Sequence, residues 1–328
     1  MSKILVTGAE GFIGSHVVER LVRDGESVRA HVLYNSFNSW GWLEQLPESV
    51  MQHVEVFVGD VRDVDRTRQA VRGVDRILHL ASLIAIPYSY MAARSYVDTN
   101  VIGALNVLEA AREQGIERVV HTSTSEVYGS AQTVPMTEEH PVVGQSPYSA
   151  SKIAADQLAT AYQRSFGVPV VTVRPFNVYG PRQSARAFIP TVLLQLLDGA
   201  PQVRVGNLRP TRDLTFVEDT VAGFAAALRV PGIEGEVINL GSGFEKSMRE
   251  VVDSLVALTG ARTEIVVAVE RVRPADSEVD RLLSDNTRAR RLLGWSPSVP
   301  FDEGLRRTVA WFTEPANRAS YKSRIYNQ

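Results

Sequence analysis

The sequence predicts an α/β protein: a doubly wound parallel sheet, then a smaller and less regular α/β domain. Three observations carry this. Short β-rich runs alternate with helix-patterned stretches through the first 175 residues, the pattern of crossover units with helices on both faces. A glycine-rich turn, Thr7–Gly14, joins the first such run to the first helix. After residue 175 the rhythm breaks, and prolines at 175, 181, 190, 201 and 210 punctuate shorter elements. The length of 328 residues fits this division, at roughly 150 residues per domain.

In order, Lys3–Thr7 reads as a strand. Residues 12–24 read as a helix, with Ile13, Val17, Val18 and Leu21 on one face. Runs at 28–33, 54–58, 76–80, 118–122 and 170–174 give five more strands, with helices expected near 64–72, 90–114 and 148–166. Later strands are expected at 214–217, 237–240 and 264–269, followed by terminal helices. The expected division is residues 1–175 plus about 211–242 in the first domain. The second takes about 176–210 plus 243–328.

Composition narrows the function classes. Lys plus Arg is 35 and Asp plus Glu 37, a net charge of −2, which argues against nucleic-acid or membrane-surface binding. There is no cysteine, so no disulfide, thiolate metal site or thiol nucleophile. The start lacks a signal-peptide pattern, and the most apolar stretch, 77–87, is too short to span a bilayer; a cytoplasmic protein is expected. The six histidines show no metal-ligand spacing, so no metal is expected.

Gly8, Gly11 and Gly14 allow a tight turn and a close approach of backbone to phosphate, while Phe12 and Ile13 open the helix whose free N–H groups face it. Their spacing is three and three rather than the usual two and three. The second strand ends in Val32-Leu33-Tyr34-Asn35-Ser36, without the acid that reads an NAD ribose and without an Arg for a 2′-phosphate. Asn35 or Ser36 is left to bond the ribose. The absent cation favours NAD, with NADP still open. Asp60, followed by Val61, offers a carboxylate for the adenine amino group or merely a helix cap.

Tyr148 and Lys152 stand four residues apart, on one helical face. A neighbouring ammonium favours phenolate, and such a tyrosine can act as general base on a hydroxyl. Thr124, Ser125 and Glu126 follow the fifth strand, where ligands of parallel sheets bind.

Together these residues resemble the extended short-chain dehydrogenase/reductases of the nucleotide-sugar epimerase/dehydratase family, over nearly the whole chain. The matching pieces are Thr7–Gly14, Gly59-Asp60, His79-Leu80-Ala81-Ser82, Asn100, Thr124, Tyr148 with Lys152, Arg174–Arg182, Arg212-Asp213, Asn239-Leu240-Gly241 and Arg273-Pro274. The resemblance implies a Rossmann domain with a smaller substrate-binding domain, and a Thr124/Tyr148/Lys152 triad. It places Leu80, Ala81, Ser82, Asn100 and Pro175 at the cofactor, with Asn100 also ordering the catalytic loop and helix. Ser89, Asn177, Arg182, Arg186, Arg212 and Arg273 are placed at the sugar nucleotide, the arginines around its diphosphate. It implies a homodimer, for which the apolar run 101–111 is the expected interface. Trp40 and Trp42 are expected to pack rather than to stack on a nucleotide.

Glu126 after Thr124-Ser125 is similar to the 4,6-dehydratases, where a carboxylate removes the C5 proton. Ser125 departs from the dTDP-glucose type and looks more like the GDP-mannose type. The stretches 34–43, 86–90 and 183–190 resemble dehydratases of nucleotide-linked N-acetylglucosamine in legionaminic-acid-type pathways. A 4-epimerase and a UDP-glucuronate decarboxylase, the latter with Arg186 as its only candidate carboxylate grip, are the alternatives. A non-catalytic NAD-binding sensor is a further one, against which the joint presence of Thr124, Glu126, Tyr148 and Lys152 speaks.

Overall fold

The computed structural model describes residues 2–323 and 325–327. Its strands are β1 (Lys3–Thr7), β2 (Ser27–Leu33), β3 (Val54–Gly59), β4 (Arg76–His79), β5 (Arg118–Thr122), β6 (Val170–Pro175), β7 (Asn177–Tyr179), β8 (Gln202–Val205), β9 (Thr211–Phe216), β10 (Val237–Leu240), β11 (Glu245–Ser247), β12 (Glu264–Val267) and β13 (Arg281–Leu282). Seven of them form one parallel sheet in the order β10-β6-β5-β4-β1-β2-β3. The direction of winding reverses between β1 and β4, the switch point at which such sheets bind ligands beyond their carboxyl ends.

Alternation along β1 divides the core. Ile4 and Val6 point into a cluster with Val17, Val18 and Leu21 of the helix Phe12–Arg23 and Val221 and Phe224 of the helix Val217–Arg229. Leu5 points the other way, towards Val71, Val107, Leu108 and Ala159 of the helices on the opposite face. Both layers are thus fixed by a two-residue period meeting helical stripes.

The expected helix over 90–114 is instead a series: Ile86–Met91, Ala93–Tyr96, a π-helical turn Val97–Ile102 and the regular helix Gly103–Gln114. Ala92 leaves helical geometry, and Asn100 in the π turn reaches sideways to Leu83. Ala104, Val107, Leu108, Ala110 and Ala111 are buried within the chain, which consumes most of the apolar run expected at a dimer interface; Val97 and Ile102 stay exposed.

The strand expected at 214–217 is β9, and Val217 begins the next helix. β9 belongs to a separate four-stranded sheet, paired with β7, β11 and β13. The chain therefore rejoins the large sheet later than 211, through the helix Val217–Arg229 and β10. A two-stranded sheet of β8 and β12 completes the smaller part. The helix Phe188–Leu197 escaped sequence reading because it is apolar nearly all round and shows no stripe. Among the described residues, no helix is long and apolar enough to cross a membrane.

Candidate active site

The glycine turn is shaped by close approach. Gly8 has φ +68°, and a Cβ there would meet Ala81 N at 2.9 Å; a Cβ on Gly14 would meet Gly8 O at 2.1 Å. Gly11 caps the helix with no side-chain bond, and no acidic residue stands in the first turn. The leading N–H groups at Phe12 and Ile13 thus have no side-chain cap, and the cradle fits a dinucleotide diphosphate. Thr7 Oγ1 accepts from Leu80 N and Ala81 N, both at 3.1 Å, and so fixes the floor beside it, where Ser82 Oγ donates to Leu80 O at 3.2 Å. Pro175 ends β6 beside Leu240.

Two expected ribose and adenine contacts are already engaged. The Asn35 amide builds its own loop: Oδ1 accepts from Phe37 N and Ser39 N, and Nδ2 donates to Ser39 O at 2.8 Å. Asp60 is held by Arg62 in a forked pair, with Nη2 at 2.5 Å, which draws its carboxyl below the usual range. Ser36 is exposed on the loop. Buried Val61 offers its carbonyl to Asn106 Nδ2 at 2.9 Å.

Tyr148 and Lys152 sit in the first turns of the helix Pro147–Phe166. Ser146 and Ser149 form a capping box there, and Pro147 opens the helix. Both side chains are buried. Burial pushes the phenol above the ordinary tyrosine value; the neighbouring Thr124 hydroxyl opposes the rise, and Glu126 adds to it. The expectation of a phenol lowered by Lys152 is not met: the phenol is raised, and the ammonium donates to Thr122 O at 2.6 Å. Burial pulls Lys152 down to about 8, opposed by Asp156.

Asp156, which sequence reading missed, lies one more helical turn along the same face. It is buried, and it accepts from Ser123 Oγ (2.8 Å) and Arg174 Nη2 (3.0 Å), with His121 Nε2 at 3.1 Å. The repeated spacing Tyr148, Lys152, Asp156 was the available signal. Asn100 joins two parts of the site. Its Oδ1 accepts from Leu83 N at 2.8 Å, and its Nδ2 donates to Ser151 Oγ at 2.9 Å on the catalytic helix.

Glu126 N donates to Thr124 Oγ1 at 3.2 Å, so the hydroxyl and carboxylate share one short turn with buried Ser125. Glu126 lines a cleft of ≈ 270 Å³ that also holds Asn177, Arg186, Arg212, Arg271 and Arg273. Arg212 lies near Glu126 and within 3.5 Å of Glu278; burial lowers its guanidinium. Arg273 approaches Glu278 at 3.6 Å.

Two expected contacts lie elsewhere. Arg182, at φ +67°, turns to the first helix and pairs with Glu19 at 3.0 Å. Ser89 is fully buried and donates to Ile86 O at 2.7 Å; Pro87 lines the cleft instead. Arg271, not singled out from sequence, stands in the cleft with its guanidinium 4.5 Å from the Tyr326 ring. Trp42 packs edge-on against Trp311 at 5.5 Å, a packing role as expected.

Comparison with known proteins places this geometry. The family model described as GDP-mannose 4,6 dehydratase matches residues 5–308. A dTDP-glucose 4,6-dehydratase of Actinoplanes sp. is 35% identical over 322 residues, covering 97% of this chain and 99% of the relative. A UDP-glucose 4-epimerase of Mycolicibacterium smegmatis is 34% identical, covering 94% and 98%. The crystal structure of a dTDP-glucose 4,6-dehydratase from Streptomyces venezuelae, with NAD bound, superposes with a TM-score of 0.88 at 33% identity, covering 98% of this chain and 99% of that one.

Proposed function

This chain belongs to the GDP-mannose 4,6 dehydratase family of extended short-chain dehydrogenase/reductases, and on that premise we propose that it is an NAD-dependent dehydratase of UDP- or GDP-linked N-acetylglucosamine. The product is a 4-keto-6-deoxy sugar. One observation carries the reading: a carboxylate, Glu126, in the cleft wall within the same turn as the Thr124 hydroxyl that neighbours Tyr148. A 4-epimerase needs only to remove and return a hydride at C4. A 4,6-dehydratase must also take a proton from C5, and Glu126 supplies the base.

Tyr148, once its own proton has been given up, accepts the C4 hydroxyl proton as phenolate, with Thr124 beside it. NAD, held at the glycine cradle, supplies the hydride store, so that the hydride lost from C4 returns to C6. The resulting ketone acidifies C5–H, and Glu126 takes that proton. The C6 hydroxyl leaves as water with the proton that Glu126 took from C5. A proton returns to C5 as the hydride reaches C6, and the reaction is redox-neutral. Asn177, Arg212 and Arg273 hold the sugar diphosphate, where planar guanidinium forks suit phosphate oxygens. Arg271 extends that row. The choice of sugar rests on the stretches 34–43, 86–90 and 183–190, and on Ser125 where the dTDP-glucose type has an acid.

The test is incubation of purified protein with UDP- and GDP-N-acetylglucosamine, UDP-glucuronate and dTDP-glucose, followed by mass spectrometry. Loss of one water from an N-acetylglucosamine nucleotide, without net NADH, is expected. An isomer of unchanged mass, loss of carbon dioxide from UDP-glucuronate, or dehydration of dTDP-glucose alone overturns the proposal. Glu126→Gln is expected to form the C4 ketone and stop before elimination; normal water release by that variant removes Glu126 from its role.

A further inference from the structure

We propose that Glu10 reads the adenosine ribose and sets a preference for NAD over NADP. In dinucleotide-binding sheets an acid at the end of the second strand takes the ribose hydroxyls. No acid stands at the end of β2: Asn35 is committed to its own loop, Asp60 to Arg62, and Ser36 offers only a neutral hydroxyl on an exposed loop. Glu10 belongs to the glycine turn, between Gly8 and Gly11, yet its carboxylate reaches that same place. Leu33, the last residue of β2, donates its N–H to Glu10 Oε1 at 2.9 Å.

The second carboxylate oxygen, Oε2, is buried and has no hydrogen-bond partner. A buried oxygen left unpaired is costly, and a ribose hydroxyl is a donor of the right kind. Burial raises the Glu10 carboxyl, while the Leu33 N–H opposes the rise. The surroundings hold the residue in place. Trp42 N donates to Glu10 O at 3.0 Å, and a Cβ on Gly41 would meet that carbonyl at 2.7 Å. The segment 41–42 thus clasps the turn that carries the acid. A 2′-phosphate brought to the same place would face a carboxylate with like charge, which discriminates by repulsion as well as by lost bonds.

The inference rests on the assignment of NAD and not on the sugar, so its test contains no sugar nucleotide. Binding of NAD and NADP to the full chain is measured by titration calorimetry for the wild type, Glu10→Gln and Glu10→Asp. The wild type is expected to favour NAD. Glu10→Gln should weaken NAD by roughly tenfold and narrow the NAD-to-NADP ratio by at least about tenfold, since each tenfold step corresponds to the loss of one ordinary polar contact. Glu10→Asp keeps the charge, so it should still reject NADP while binding NAD less tightly. Unchanged affinities in Glu10→Gln overturn the proposal. An equal loss for both dinucleotides overturns it too, because it marks a purely structural role. If Glu10→Gln fails to fold, an unaltered NAD-to-NADP ratio together with unweakened NAD binding in Glu10→Asp overturns it.

Discussion

The two ends of the site are built differently. At the catalytic helix nearly every polar side chain has its partner within the protein: Lys152 on Thr122, Asn100 on Leu83 and Ser151, Asp156 on Ser123, His121 and Arg174. In the cleft towards the smaller sheets, buried polar atoms are left over. Asn177 Oδ1, Gln183 Oε1, Arg271 Nε and Arg273 Nη1 have no hydrogen-bond partner, although their residues line the cavity. The first region is ordered on folding, so reacting groups are held before any substrate arrives. The second is electrostatically incomplete, as the proposed diphosphate site would be before its ligand arrives. Chemistry and recognition are thereby assigned to separate layers of one cleft.

Variants at the two ends should therefore fail in different ways. The largest effect is expected at Tyr148→Phe. It removes the proposed acid–base hydroxyl and little volume, so turnover should be lost to the detection limit by mass spectrometry while circular dichroism stays unchanged. Residual C4 oxidation in that variant breaks the comparison, because it moves the base elsewhere. A smaller effect of a different kind is expected from Arg273→Ala. Removing one charge-assisted contact should raise KM by roughly 10- to 100-fold, with kcat nearly unchanged in steady-state assays. A fall in kcat at constant KM would place this arginine with the reacting atoms, and the two layers would merge.

How much of this was legible in sequence follows from range. The glycine turn, the strands and Tyr148–Lys152 are set by spacing within one element, and periodicity shows them directly. The fate of an arginine is not local. Arg182 and Arg186 are four residues apart, yet a left-handed backbone at Arg182 sends it to Glu19, while Arg186 lines the cleft. Arg271 was not singled out because Tyr326, its ring partner, is distant in sequence. The break in the 86–114 helical series was hidden for a related reason. It depends on Asn100 bonding to a loop that belongs to a different strand. Asp156 was readable as a third step on the catalytic face, but its burial and its partners come from β5 and β6.

Asp156 also gives the subtlest way to sharpen the comparison. Burial lowers Lys152 to about 8, and Asp156 opposes that fall. Removing an anion weakens the hold on a neighbouring cation's proton, so Asp156→Asn should lower Lys152 further. The sign is fixed by charge: the ammonium is lost at a lower pH than in the wild type. The alkaline limb of the kcat/KM profile should then move down by about one pH unit. Asparagine keeps the size of the side chain, and Arg174 keeps its bond to the Tyr128 hydroxyl at 3.0 Å, which limits the structural damage. A merely structural role predicts a lower melting temperature and lower activity at every pH, with the limb in place. A shifted limb makes Asp156 a positioning residue that acts through Lys152, and extends the ordered layer one turn beyond the groups that touch the sugar.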